Sequence, residues 1–170
     1  MDGIIIVDKS KEFTSNDVVN KVKKILNVKV GHTGTLDPEA TGVLPVALGK
    51  ATKTIDYIMN CNKTYEVKFL LGVKTTTYDL EGEVIEKKDT SFLTEQEVKD
   101  AVLSFIGEYD QVPPMYSALK QNGVRLYDLA RQGIEVERQG RRIHILNIED
   151  IKIELPYVYM KVSCSKGTYI

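Results

Sequence analysis

An apolar run from Gly3 to Val7 predicts a short buried strand. Polar residues follow, and Thr14 or Ser15 stands where a helix would be capped. Val18, Val19, Val22, Ile25 and Leu26 then recur at helical spacing, with Lys21, Lys23 and Lys24 mostly off that stripe. A glycine-rich stretch breaks the pattern, and "VLPVALG" after it reads as a short apolar strand carrying Pro45. Residues 51–59 read as a helix and "TYEVKFLLG" as a strand. Thr94 and Glu97 form a capping-box signature, opening a helix that runs to Ile106 and stops at Gly107. Gln111 to Gly123, with Pro113-Pro114, is irregular, and a short helix from Val124 to Gln132 is ended by Gly133. From about 134 to 165 the chain is strand-like, with one polar turn near Gln139-Gly140. There is no internal repeat, clear linker or regular βαβ alternation. The pattern therefore predicts an α+β domain, a mixed, largely antiparallel sheet with flanking helices.

Composition narrows the function classes. With 170 residues the chain can bury about two-thirds of the surface it exposes when unfolded. Its net charge of −1 means that a polyanion would have to be held by a local patch. Cys61 and Cys164 lie far apart without metal-ligand spacing, as expected of unpaired thiols in a reducing cytosol. Cys164 alternates with Val158, Met160 and Val162, which makes it a core residue. The early acid and short apolar run at the N-terminus read as a strand rather than a signal peptide. No stretch reaches the roughly 20 apolar residues of a membrane span. A cytoplasmic protein without a membrane partner is expected.

The glycine-rich stretch, "GHTGTLDPEATG", is where chemistry could sit. Four of the twelve glycines (31, 34, 42 and 49) fall within nineteen residues, where even spacing would give roughly one, so the backbone is held unusually. The glycines could merely turn the chain, with Asp37-Pro38 capping the next element. They could cradle a phosphate, although the spacing matches neither G-x-G-x-x-G nor a P-loop and no Lys-Ser/Thr pair follows. Or Asp37 could be a catalytic carboxylate, with His32 and nearby hydroxyls shaping a pocket. The residue types alone leave these open.

A longer resemblance separates them. "GHTGTLDPEATGVLPVALGKATK" resembles the catalytic loop of the TruB family, the bacterial tRNA pseudouridine synthases that act on the TΨC loop. "GIIIVDKSKEFTSNDVVNKVKK" resembles the family's first motif, with Ser10 where proline is usual. "NKTYEVKFLLG" carries the expected tyrosine, "PPMYSALKQNGVRLYDLARQGIEV" resembles the RNA-gripping insertion, and "CSKGTYI" resembles the last catalytic-domain motif. These motifs follow in the family's order along essentially the whole chain. The resemblance implies a pseudouridine synthase catalytic domain over residues 1–170, with the insertion at about 114–142. The RNA-guided archaeal and eukaryotic relatives differ in that insertion, so the resemblance points to the stand-alone bacterial branch: a monomer acting on the tRNA T-arm without guide RNA.

By that resemblance, Asp37 is the catalytic aspartate of a reaction needing neither cofactor nor metal. Uracil is detached from its ribose, rotated and rejoined through carbon, and the carboxylate serves as nucleophile or as base. His32 matches a histidine that contacts RNA where the base is flipped out. Tyr65 and Tyr169 match substrate-contacting tyrosines. Taken alone, each has a plainer reading: a solvated loop histidine, a core aromatic beside Val67, Phe69 and Leu71, and a residue in a helix's first turn. The insertion holds six basic residues (Lys120, Arg125, Arg131, Arg138, Arg141 and Arg142) against three acidic ones, with Tyr116 and Tyr127 interleaved. That local excess is the patch which phosphate contacts need, though such runs usually form a solvated face. Lys120, Arg125, Arg131, Arg141 and Arg142 are the candidate RNA contacts, on a segment expected to order on RNA.

The resemblance also implies C-terminal truncation. Ile170 precedes the position of the family's active-site arginine, and neither the last catalytic-domain elements nor the small C-terminal RNA-binding domain follows. Greatly reduced activity is the expectation for these 170 residues alone. The alternative function is a tRNA-binding or folding-chaperone module without significant catalysis, with nucleotide binding by the glycine loop a distant third.

Overall fold

The structure, a computed structural model, describes residues 1–117 and 119–170. It divides into two compact units, Met1–Cys61 and Asn62–Ile170. All strand pairings among the described residues are antiparallel, and the fold is α+β as expected.

The first unit comprises β1 (Gly3–Lys9), α1 (Ser15–Leu26), β2 (Val30–His32), β3 (Gly42–Leu48), a 3₁₀ turn (Gly49–Thr54) and α2 (Ile55–Met59). The 51–59 segment is thus a 3₁₀ turn running into one short α-helix, rather than a single helix. β3 lies between β1 and β2. Val18 of α1 packs with Leu44, Val46 and Leu48 of β3, and Ile5, Val7, Val22 and Leu26 close around them. β1 is buried on one face only: Ile5 and Val7 point inward, whereas Ile4 and Ile6 are exposed, so the unbroken apolar run conceals an alternating strand.

Proline inside the central strand β3 has a local explanation. The Pro45 carbonyl accepts the Thr33 N–H at 3.1 Å, the bond expected one step beyond the His32–Val46 pair. The reciprocal bond would need a Pro45 N–H, which does not exist, so the β2–β3 ladder ends at His32. Facing β1, Pro45 stands opposite Ile6 without interrupting the pairing.

The second unit is built on a sheet of order β4-β11-β10-β7: β4 (Lys63–Leu70), β11 (Tyr157–Cys164), β10 (Arg141–Glu154) and β7 (Gly107–Gln111). α3 (Glu95–Leu103) packs Val98 onto Ile143, Ile145, Ile148, Val158, Met160, Val162 and Cys164. Cys164 is a core residue as read from its alternation, and burial pushes its thiol pKa up. Two ribbons complete the unit, β5 (Val73–Thr75) with β6 (Val84–Lys87), and β8 (Lys120–Gln121) with β9 (Val124–Arg125). The second ribbon turns through Asn122 (φ 51°) and Gly123 (φ 83°), the left-handed pair that a two-residue hairpin demands. α4 (Leu126–Arg131) follows directly.

Several boundaries differ from the sequence pattern. The helix read over Val124–Gln132 begins only at Leu126, because Val124 and Arg125 pair as β9 with β8, which lies inside the stretch read as irregular. α3 ends at Leu103, capped by Ser104, and Gly107 opens β7 instead of merely stopping a helix. Residues 134–140 form no strand. The turn of the long hairpin lies at Leu155-Pro156, not at Gln139-Gly140, which precedes β10.

Both long helices are capped as their sequences indicate. Thr14 and Asp17 at α1, and Thr94 and Glu97 at α3, form reciprocal capping boxes. Hydrogen bonds from the side chain and then the backbone of Thr14 hold Asp17 below its ordinary 3.8, and those from Thr94 hold Glu97 below 4.5. A carboxyl depressed by folding stabilises fully above its unfolded pKa, and that contribution is lost as pH falls through the folded pKa. Thermal melts of an Asp17→Asn/Glu97→Gln variant should therefore show a deficit near neutral pH that closes as pH falls below about 4. A gap constant over the whole range would contradict this origin.

Candidate active site

The loop between Thr33 and Thr41 carries Asp37 with almost no regular structure, so its order must come from individual bonds. Thr33, almost wholly buried, sends both its N–H and its hydroxyl to the Pro45 carbonyl, at 3.1 and 3.2 Å. Ser15, the first residue of α1, accepts the Leu36 N–H at 2.9 Å and returns its hydroxyl to the Leu36 carbonyl at 3.2 Å. The Ala40 N–H bonds the Asp37 carbonyl at 3.1 Å, closing a turn through Pro38. The Pro38 carbonyl accepts from the Glu12 N–H at 2.9 Å. Asp37 itself is exposed, carried between two residues that are both tied down.

The strongest tie comes from Lys9. Its side chain is completely buried, and Nζ donates to the carbonyls of Phe13 at 2.7 Å, Ser10 at 3.0 Å and Pro38 at 3.1 Å. One ammonium group thus joins the end of β1, the approach to α1 and the loop after Asp37. The Ser10 contact uses its backbone carbonyl, a bond that proline at that position would keep. Lys9 was not among the residues singled out from sequence, although it shares the inward face of β1 with Ile5 and Val7.

His32 ends β2 opposite Val46 and is half-buried, with a buried Nδ1 that has no protein partner. A Cβ on Gly31 before it would lie 2.6 Å from Ile55 Cδ1 of α2, the tip of a side chain that would have to shift to make room. His32 and Asp37 therefore belong to one unit, at the near end and the middle of the same loop.

In the second unit, Tyr65 is half-buried on β4, opposite Val162 and packed against the core cluster. Tyr169 lies beyond β11 in a segment without regular structure, not in a helix turn. Its backbone N–H and C=O both pair with the Gln111 side chain, at 2.8 and 2.7 Å. Since β4 and β7 are the two edges of the sheet, the tyrosines are tied to opposite edges.

The basic candidates fall into two groups. Lys120 and Arg125 are cross-strand partners on the β8–β9 hairpin. Arg125 and Arg131 both lie against the Tyr127 ring, 5.6 and 5.3 Å from its centre, and Arg125 also donates to the Tyr127 hydroxyl. Leu126, between Arg125 and Tyr127 in the chain, is buried, whereas all three cations are exposed. Arg141 and Arg142 form the second group, at the start of β10. Arg142 is paired with Glu108 at 3.3 Å, which leaves Arg141, opposite Gln111, as the less neutralised of the two.

Comparison with known proteins agrees with this fold. A chain in the crystal structure of a Cbf5-Nop10-Gar1 complex superposes with a TM-score of 0.71 at 33% identity, covering 99% of this chain and 41% of that one. A chain of an H/ACA RNP bound to a substrate RNA containing 2'-deoxyuridine gives a TM-score of 0.67 at 28% identity, covering 98% and 39%. The architecture is that of the pseudouridine synthase catalytic fold. Residues 21–170 match the family described as TruB family pseudouridylate synthase (N terminal domain), and the chain belongs to that family. It is 60% identical to tRNA pseudouridine synthase B of Clostridium perfringens strain SM101, covering all of this chain and 58% of that protein. Against tRNA pseudouridine synthase B of Clostridium tetani strain E88 the identity is 58%, over all of this chain and 59% of the relative. The chain thus spans a little under three-fifths of the length of these relatives.

If Lys9 holds the Asp37 loop, replacing it with an apolar residue of similar length should free three carbonyls at once. Lys9→Met is expected to cost roughly 3 kcal/mol or more in urea unfolding, with faster amide exchange at Glu12. Unchanged exchange there would show that the loop is held by other means.

Proposed function

We propose that this chain is the catalytic part of an RNA-modifying isomerase that converts the T-loop uridine of tRNA to pseudouridine. The observation that carries this reading is identity of up to 60%, over the whole chain, with proteins named tRNA pseudouridine synthase B. The geometry of the Asp37 loop is compatible with it: an exposed carboxylate on a backbone fixed from both sides is pre-organised for attack or proton transfer. The N1–C1′ bond of the uridine breaks, the uracil turns, and C5 bonds to C1′. C5 gives up its proton and N1 gains one, so the change is an isomerisation without net oxidation. Asp37 is the catalytic group, as nucleophile or base.

The base must leave its stack, which costs roughly a few kcal/mol. Tyr65 and Tyr169 are the proposed aromatic contacts of the substrate, and stacking on one base contributes about 1–3 kcal/mol toward that cost. His32 contacts the RNA. Segment 114–142 grips the T-arm, with Lys120, Arg125 and Arg131 forming one cationic group and Arg141 and Arg142 the other. No guide RNA is required in this reading, since relatives 58–60% identical carry the name of a tRNA enzyme.

Asp37→Asn tests the catalytic assignment, with the family's remaining C-terminal residues present. Pseudouridine formation on a T-loop hairpin should be abolished while hairpin affinity stays within a few-fold. Wild-type turnover by the variant would remove Asp37 from the reaction. An unsubstituted protein that binds tRNA but never isomerises it would instead favour the chaperone reading. Arg125→Ala and Arg131→Ala should each make the negative slope of log affinity against log salt shallower by about one. A slope that does not change would take those residues out of the RNA contact.

A further inference from the structure

Gln111 is the last residue of β7, where the chain leaves the sheet for Pro113-Pro114 and the segment beyond. Its amide closes a two-bond ring on a single residue: Nε2 donates to the Tyr169 carbonyl and Oε1 accepts the Tyr169 N–H. That is the reciprocal pair which a neighbouring antiparallel strand would supply. Here a side chain supplies it, to a segment that has no strand of its own. The same segment is moored at its start, where His144 N–H bonds Ser165 Oγ at 2.9 Å and Ser165 N–H bonds the His144 carbonyl at 2.8 Å. Between the moorings the chain turns through Gly167 at φ 76°. Ser165 fixes where the segment begins, and Gln111 fixes Tyr169.

The chemistry of the bond is restrictive. A carboxylate has no donor for the Tyr169 carbonyl, an alkyl side chain has neither group, and asparagine is one methylene short. The pair joins residues 58 positions apart. It also sits at the exit to the segment proposed to grip RNA.

We infer that Gln111 is a positioning residue of the site: its amide sets the Tyr169 backbone, and through it the ring, at the point where the RNA-gripping segment leaves the sheet. This rests on the reading of Tyr169 as a substrate contact. Loss of the pair misplaces the ring while the phosphate contacts remain, so the effect falls on turnover more than on RNA affinity.

The test compares unsubstituted protein, Gln111→Leu, Tyr169→Ala and the double variant, each with the family's remaining C-terminal residues present. Pseudouridine formation on a T-loop hairpin is measured at limiting and saturating RNA, and thermal melts establish that each variant is folded. Gln111→Leu should lower kcat by roughly 10- to 100-fold, the scale expected for an ångström-level misplacement, with KM within about three-fold. On the Tyr169→Ala background the same change should cost no more than about two-fold, because the two residues act as one unit. Wild-type kcat in folded Gln111→Leu, a loss confined to KM, or losses that multiply in the double variant would each overturn the inference. An unsubstituted protein that forms no pseudouridine overturns the enzyme reading, and this inference falls with it.

Discussion

A loop without regular pairing keeps one shape only if its backbone polar groups find partners, and in the first unit one donor serves three carbonyls. Burying an uncompensated ammonium is strongly unfavourable, so Lys9 Nζ and its acceptors at Ser10, Phe13 and Pro38 require one another. The inward face of β1 supplies the lysine, and the approach to α1 supplies two of the carbonyls. The third comes from the residue after Asp37. Strand, helix and loop are thereby fixed through a single nitrogen. The Ser15–Leu36 and Thr33–Pro45 contacts complete a loop whose geometry is set on both sides of the carboxylate.

The second unit relies on packing more than on any one polar contact. β10 and β11 are the inner strands, and their alternating apolar residues meet Val98 of α3 in one core. The outer face is held by charge. Asp150 sits at φ 53° where the β10–β11 register shifts, and its carboxylate reaches Lys161 at 2.8 Å, while Glu66 on β4 stands 3.6 Å from the same ammonium. The hydrogen bond to Asp150, then the charges of Asp150 and Glu66, raise the Lys161 pKa. These contacts are exposed and worth little individually, but they link three strands whose opposite face is the core.

What the sequence discloses follows the range of the interactions involved. The capping box of α3 is legible because it is complete within four residues. The α1 cap is narrowed to Thr14 or Ser15, although Asp17, the other half of its box, is not the Glu or Gln that marks one. Cys164 is placed by simple alternation. β2 escapes notice because three residues carry no period, and β7 because its glycine reads as a helix stop. The turn at Leu155-Pro156 is masked by the more polar pair at Gln139-Gly140, and the Asn122-Gly123 hairpin by the prolines before it. Among the candidate residues, Asp37 emerges from a long motif match. Lys9 and Gln111 do not, since a lysine at a strand end and a glutamine before two prolines look unremarkable until their distant carbonyl and amide partners are in view. The inward parity of Lys9 was the available clue.

Pro45 carries a consequence of a different kind. A strand pair can lengthen like a zipper until something halts it, and a slip of one residue would turn each side chain to the wrong face. At Thr33 the halt is a missing hydrogen: the partner residue offers an acceptor but no donor. The ladder therefore has a fixed terminus that depends on covalent structure rather than on competition between contacts. On β3 that terminus is set by a bond that can never form. On the loop side Thr33, four residues before Asp37, is held there by the backbone bond that Pro45 accepts.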